Sequence, residues 1–289
     1  MEIKVDELTD PFYQSSNISL HIARLDALHP VVSGNKFFKL KYNIADALNK
    51  GKKGIITFGG AYSNHLAAAA FACKEAGLKS YAVVRGENTK LLSHTLQFCE
   101  QQEMELEFIS REKYKTKKSL YDYYRNKFAD YFLVPEGGGN ENGEKGCEEI
   151  LLQINNADEY THIVCAVGTG TTFRGLVKSS SPHQKVLGVV VLKGAETILT
   201  GFNSSNNFEL LHQYHFGGYT KKTTELIAFM NQFYKQHQIP SDFVYTGKLF
   251  FAVDDLIRKN YFTNGSKILC IHSGGLQGNL SLPQGTLLF

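Results

Sequence analysis

Short unbroken apolar runs, each closed by glycine and followed by a helix-forming stretch, recur along this chain. Ile55 to Phe58 ends at Gly59-Gly60 and leads into the alanine-rich segment Ser63 to Ala76, with Gly77 as its stop. Tyr81 to Val84 reads as a strand and Leu91 to Gln101 as an amphipathic helix. Leu106 to Ile109 and Phe132 to Val134 read as two more strands, separated by the charged stretch Arg111 to Lys127. Past the Gly137-Gly138-Gly139 loop, Cys147 to Ile154 reads as helix, Ile163 to Val167 as strand and Thr172 to Lys178 as helix. Val186 to Leu192 and Ile268 to Ile271 complete the strands, while the polar segment Asn203 to His215 reads as an excursion from the core. Strands that are apolar throughout are buried on both faces, which parallel strands joined by crossover helices achieve. The pattern predicts an α/β fold of open, mostly parallel twisted sheets with helices on both faces. Ligands of such sheets bind beyond the carboxyl ends of strands. Chemistry is therefore expected in the loops after Phe58, Val167 and Ile271.

A chain of 289 residues has room for about two domains. With 31 basic and 28 acidic residues it carries a net charge of +3, no excess with which to hold nucleic acid or acidic lipid. The longest apolar run, Leu66 to Cys73, is far short of the roughly 20 residues of a membrane span. Met1 to Asp10 lacks the basic-then-apolar order of a secretory signal, so a cytoplasmic protein is expected. Cys73, Cys99, Cys147, Cys165 and Cys270 form no CxxC pair, and the histidines show no HExxH pattern. Neither a disulfide framework nor a metal site is expected.

Three clusters could carry chemistry. Gly168-Thr169-Gly170-Thr171-Thr172 joins a strand to a helix, and its amides, its hydroxyls and the helix N-terminus suit one phosphate group. An ordinary helix cap is the alternative. The loop is not a dinucleotide fingerprint, because Phe173 replaces the third glycine and Lys193 stands where a ribose-binding acid is expected. A Walker A lysine is also missing, Glu144 standing in its place. In Ser33-Gly34-Asn35-Lys36-Phe37-Phe38-Lys39, Lys39 fits a solvated helical face. Lys36 is flanked by a glycine turn and two phenylalanines, where burial would lower its proton affinity and make it an amine nucleophile able to form a Schiff base. By spacing alone a surface lysine is the better reading. Gly59-Gly60-Ala61-Tyr62-Ser63-Asn64-His65 offers either a plain N-cap or amides and a hydroxyl that hold a substrate carboxylate.

These clusters, with Val244-Tyr245-Thr246-Gly247-Lys248 and His272-Ser273-Gly274-Gly275, occur in one order over some 240 residues. The set resembles the pyridoxal-phosphate enzymes known as 1-aminocyclopropane-1-carboxylate deaminase and D-cysteine desulfhydrase, of the tryptophan-synthase-β-like fold group. The resemblance implies a larger domain from residues 1–49 and 138–289, a smaller one from 50–137, and pyridoxal 5′-phosphate in the cleft between them. It also implies a homodimer.

By the same resemblance Lys36 carries the cofactor, Gly168, Thr169, Gly170, Thr171 and Thr172 hold its phosphate, and Asn64 meets its phenolic oxygen. Ser63, Asn64 and His65 would receive the substrate carboxylate. Tyr245, in the Tyr-x-Gly-Lys motif, and Tyr219, in Phe216-Gly217-Gly218-Tyr219, would be the active-site tyrosines. Thr246 would face the pyridine nitrogen, where the ring-opening deaminases carry glutamate; a neutral hydroxyl there leaves the ring a weaker electron sink. The implied reaction is a β-elimination on a small amino acid, D-cysteine-like, giving a 2-oxo acid and ammonia, with Lys36 as base. Ring-opening deamination and racemisation are the alternatives within the cofactor class. A non-enzymatic α/β module binding a nucleotide or free cofactor is the alternative outside it. One departure from the family pattern is Arg24-Leu25-Asp26-Ala27, where Leu25 replaces an acid.

Overall fold

The computed structural model describes residues 2–88 and 91–289. The chain divides into two units, one of Met1–Leu28, Ser33–Asn35 and Cys147–Phe289, the other of His29–Val32 and Lys36–Gly146. The larger opens with β1 (Val5–Leu8), α1 (Pro11–Ser15) and β2 (Ser19–Ala23). Then comes α2 (Asn35–Asn49), which leads into β3 (Gly54–Gly60), α3 (Asn64–Glu75), β4 (Lys79–Arg85) and α4 (His94–Gln101). The smaller unit continues with β5 (Glu105–Ile109), α5 (Lys117–Lys127), β6 (Tyr131–Val134) and α6 (Glu141–Glu148). The larger resumes with β7 (His162–Val167), α7 (Thr171–Ser179), β8 (Lys185–Val190) and β9 (Asn207–Leu211). It ends with α8 (Thr224–His237), α9 (Thr246–Arg258) and β10 (Lys267–Ile271).

The larger unit holds a six-stranded sheet in the order β1-β2-β10-β7-β8-β9, parallel except for the β1–β2 pair. Val164, Leu187, Val189 and Ile268 bury against Leu249, Val253 and Ile257 of α9. The smaller unit holds a wholly parallel sheet, β5-β4-β3-β6. One core of this unit joins Ile56 and Phe58 to Tyr114 and Tyr124; another joins Ala82 and Val84 to the alanines of α3. The two mostly parallel sheets flanked by helices are the α/β architecture expected from the apolar runs.

Several elements differ from expectation. The charged stretch 111–127 contains α5, whose Leu120 and Tyr124, one turn apart, bury while its charges face outward. Asn203 to His215 contains β9, a parallel edge strand pairing β8 from Asn207↔Lys185 to Leu211↔Val189. The helix expected over 147–154 lies earlier, at α6, and 151–153 is a 3₁₀ turn. Beyond Asn35, α2 packs with the four-stranded sheet: Leu40 joins Leu66, and Ala47 joins Ile55 and Cys73. Residues 36–49 and 138–146 therefore lie with the smaller unit rather than the larger. All five cysteines are buried and unbridged. No helix of the described residues is long and apolar enough to cross a membrane.

Candidate active site

In the smaller unit, β3 delivers the chain to α3 through a turn that glycine permits. A Cβ on Gly59 would lie 2.7 Å from Ser63 Oγ and 2.8 Å from Leu66 Cγ. Ser63 is the N-cap of α3, its Oγ accepting from the Leu66 amide at 3.3 Å. The plain N-cap is thus present. It leaves the first-turn amides of Asn64 and His65 outside the helix's own ladder, and the Ser63 hydroxyl keeps its proton to donate. Ser63 and Asn64 are partly exposed.

His65 is buried, and its hydrogen bonds fix its tautomer. Thr57 Oγ1 donates to Val134 O at 2.8 Å, so at its other contact, 2.8 Å from His65 Nε2, it must accept. The ring proton therefore sits on Nε2, and Nδ1 is a buried lone pair with no hydrogen-bond partner. Burial, and then the charges of Lys36 and Lys39, bring the His65 pKa down to about 3. The ring therefore has no free proton to give a carboxylate, and the His65 amide is the group through which this residue could serve one.

Lys36, in the first turn of α2, is partly buried. Lys39, one turn on, is 4% exposed, not on a solvated face. Gly138, at φ +72°, packs on it; a Cβ there would lie 3.1 Å from Lys39 Cβ and 3.7 Å from His65 Cε1.

In the larger unit, the loop from Gly168 to Thr172 runs from β7 into α7. Gly170 is the N-cap at φ +83°, and no side chain caps the helix. Thr171 and Thr172 are buried and Thr169 is exposed, its Oγ1 3.0 Å from that of Thr171. Asn35, the residue before Lys36, donates from Nδ2 to Thr172 Oγ1 at 2.8 Å. Its amide donates to Ser273 O at 3.2 Å. Glycine makes that approach possible, since a Cβ on Gly34 would fall 1.9 Å from Ser273 O. His272 braces the same place, its Nε2 donating to Pro240 O at 2.7 Å.

Tyr245 lies over the loop: a Cβ on Gly168 would be 3.0 Å from its Cε1 and 3.4 Å from its Oη. The Tyr245 hydroxyl donates to Tyr219 Oη at 3.3 Å, the rings meeting edge to face at 5.9 Å. Burial, and then the neighbouring Tyr219, push the Tyr245 phenol well above its ordinary pKa, so it holds its proton.

Thr246 is tied to Asp242. It has no exposed surface; its hydroxyl donates to Asp242 Oδ1 at 2.8 Å and accepts from the Asp242 amide at 2.8 Å. Its proton is committed, so it offers none to a ring nitrogen. Asp242 is the residue that sequence reasoning passed over. Its carboxylate also takes the amides of Val244, Tyr245 and Thr246, all at 2.9 Å, and so organises the start of α9. Burial pushes its carboxyl above the ordinary value, and these hydrogen bonds pull the other way. The signal in the sequence was an acid just ahead of a helical stretch, displaced by four residues from the first helical position.

The structure thus gathers Gly168–Thr172, Tyr245 and Tyr219 in one unit, and Ser63, Asn64, His65 and Lys36 belong to the other. No group of three or more histidine, cysteine or acidic side chains among the described residues is placed to hold a metal.

The model for the family described as pyridoxal-phosphate dependent enzymes matches residues 10–274. A Thermotoga maritima protein provisionally named as a 1-aminocyclopropane-1-carboxylate deaminase is 29% identical over 284 residues, covering 90% of this chain and 89% of its own. The Arabidopsis thaliana bifunctional D-cysteine desulfhydrase/1-aminocyclopropane-1-carboxylate deaminase is 27% identical, covering 90% of this chain and 73% of its own. The crystal structure of a homologue of 1-aminocyclopropane-1-carboxylate deaminase superposes with a TM-score of 0.80 at 26% identity, covering 96% of this chain and 91% of that one. The residues present fit the cofactor: an uncapped helix N-terminus fronted by glycine and hydroxyls is a seat for a phosphate, and the Tyr245 ring lies against Gly168 at the start of that loop. The chain belongs to the pyridoxal-phosphate dependent enzymes, and its cofactor is pyridoxal 5′-phosphate.

Proposed function

We propose that this enzyme is a lyase of D-cysteine desulfhydrase type, removing the β-substituent of a small amino acid to leave a 2-oxo acid and ammonia. Bound pyridoxal phosphate supplies an electron sink at the substrate Cα. Gly168 to Thr172 would hold its 5′-phosphate with their amides and hydroxyls, Lys36 would hold the cofactor covalently, and Asn64 would meet its phenolic oxygen. Ser63 and the amides of Asn64 and His65 receive the substrate carboxylate at the start of α3. Lys36 would also serve as the base that takes the Cα proton. Tyr245, with Tyr219, gives a proton to the departing group.

The observation that carries this reading is the disposition of acids and phenols beside the α7 loop. Asp242 has its carboxylate consumed by four hydrogen bonds within its own turn, and the groups presented outward are two phenols. A phenol pair suits protonation of a thiolate. By the resemblance the ring-opening deaminases carry glutamate at the position of Thr246, and this chain has threonine there. Assembly as a homodimer and a cytoplasmic location belong to the same proposal.

The test is spectroscopic, then chemical. Protein loaded with pyridoxal phosphate should absorb in the visible, and borohydride followed by peptide mapping should place the adduct on Lys36. D-cysteine should then yield sulfide, pyruvate and ammonia, with 1-aminocyclopropane-1-carboxylate inert. An adduct on another lysine refutes the site. Turnover of the cyclopropane substrate, or racemisation without elimination, refutes the assigned reaction.

A further inference from the structure

Lys248 is the member of the Tyr-x-Gly-Lys motif that the proposed chemistry leaves without a role. Its side chain is 0% exposed, on a helix whose next residues, Leu249 and Phe250, are core. A buried ammonium is costly unless its protons find acceptors. Lys248 Nζ donates to His215 O at 2.9 Å and to Gly218 O at 2.8 Å.

Those two carbonyls bracket a turn whose Phe216, Gly217 and Gly218 have φ of +51°, +89° and +117°. The glycines adopt such values freely; Phe216 does not, and its left-handed conformation is one that a bulky residue keeps where its surroundings hold it. Tyr219 follows directly, and its hydroxyl receives the proton of Tyr245, in the same first turn of α9 as Lys248. One helical turn therefore roots both tyrosines, Tyr245 through Asp242 and Tyr219 through Lys248. Methionine would fill the same volume but remove the tie to α9, leaving each carbonyl only its partner within the loop, the Gly218 amide on His215 O at 2.9 Å and the Lys221 amide on Gly218 O at 3.1 Å; it is the N–H groups of Lys248 that join the loop to the helix.

We infer that Lys248 is a positioning residue whose ammonium pins the His215–Gly218 loop and so sets the Tyr219 hydroxyl against that of Tyr245. The chemical use of the tyrosines rests on the function proposed above; the pin itself rests on the geometry alone.

The experiment compares Lys248→Met, Lys248→Gln and Tyr219→Phe, each loaded with pyridoxal phosphate, by hydrogen–deuterium exchange and by steady-state kinetics. In Lys248→Met the amides of residues 215–220 should exchange roughly tenfold faster, with residues 168–172 unchanged. Lys248→Gln, keeping a donor on a shorter arm, should fall between. Turnover of Lys248→Met should drop to that of Tyr219→Phe, mainly in kcat. Unchanged exchange at 215–220 in a folded Lys248→Met protein overturns the inference. Should that variant not fold, unchanged exchange in Lys248→Gln overturns it equally. Normal turnover by Tyr219→Phe beside a loosened loop in Lys248→Met leaves the pin standing and refutes the catalytic use of Tyr219.

Discussion

Residues whose roles rest on backbone were legible in the sequence, and those whose roles rest on partners were not. Gly168, Gly170 and the threonines declare themselves because glycine between a strand and a helix has few other uses. Asp242 stayed hidden because its four donors come from the turn that it organises, a geometry no spacing rule describes. Lys39 was read as solvated because its helix period was judged without Gly138 resting on it. His65 gives the sharpest test at this scale. Its folded pKa, about 3, lies below the ordinary histidine value of 6.5. Above pH 6.5 both states are neutral and the group contributes no pH dependence; below it the unfolded chain takes up a proton that the folded one refuses. Stability should therefore fall from pH 6.5 down to about 3, by about 2 kcal/mol at pH 5 from this residue. Urea unfolding of the cofactor-free protein at pH 7 and pH 5 checks this: His65→Gln should lose about 2 kcal/mol less than the unaltered protein over that interval.

Elements were legible where their periodicity agreed with their packing. The strands β3, β4, β7, β8 and β10 carry apolar runs through their middles because both faces are covered there, and those runs mark them in the sequence. The edge strand β9 was not, since an edge carries polar residues; Glu209 reaches Lys185 at 2.6 Å across the pair. Helix α6 was misplaced because it contains Gly143 and Gly146, which propensity places outside a helix interior. Packing requires both: a Cβ on Gly143 would fall 2.0 Å from Gly138 O, and one on Gly146 would fall 1.9 Å from Phe38 O. Gly146→Ala should therefore destabilise the protein despite alanine's better helix propensity, by about 2 kcal/mol or more, because the obstructing atom is backbone. Thermal and urea unfolding would show it. A stabilised variant would mean that α6 shifts away from α2 without penalty.

For the whole molecule, the alternation of strand and helix announced the α/β class, and the resemblance supplied the division in two. Contiguity distinguishes the units. Apart from residues 29–32, the smaller is one stretch, 36–146, with cores of its own residues, whereas the larger draws on separate segments. An excised fragment of residues 29–146 should therefore fold alone, with a cooperative urea transition followed by circular dichroism. A non-cooperative transition would show that its cores depend on the rest of the chain. The order of the large sheet has a further consequence, for synthesis on the ribosome. β10 fills the place between β2 and β7, so a strand translated early waits unpaired on that side until residues 267–271 have emerged. The smaller unit can be complete by then, already carrying Lys36 and its α3 loop, while the loop after β7, the proposed phosphate seat, still lacks β10 beside its strand. Acquisition of the cofactor would accordingly be a post-translational event, and a nascent chain halted before β10 would expose two sheet edges to chaperones.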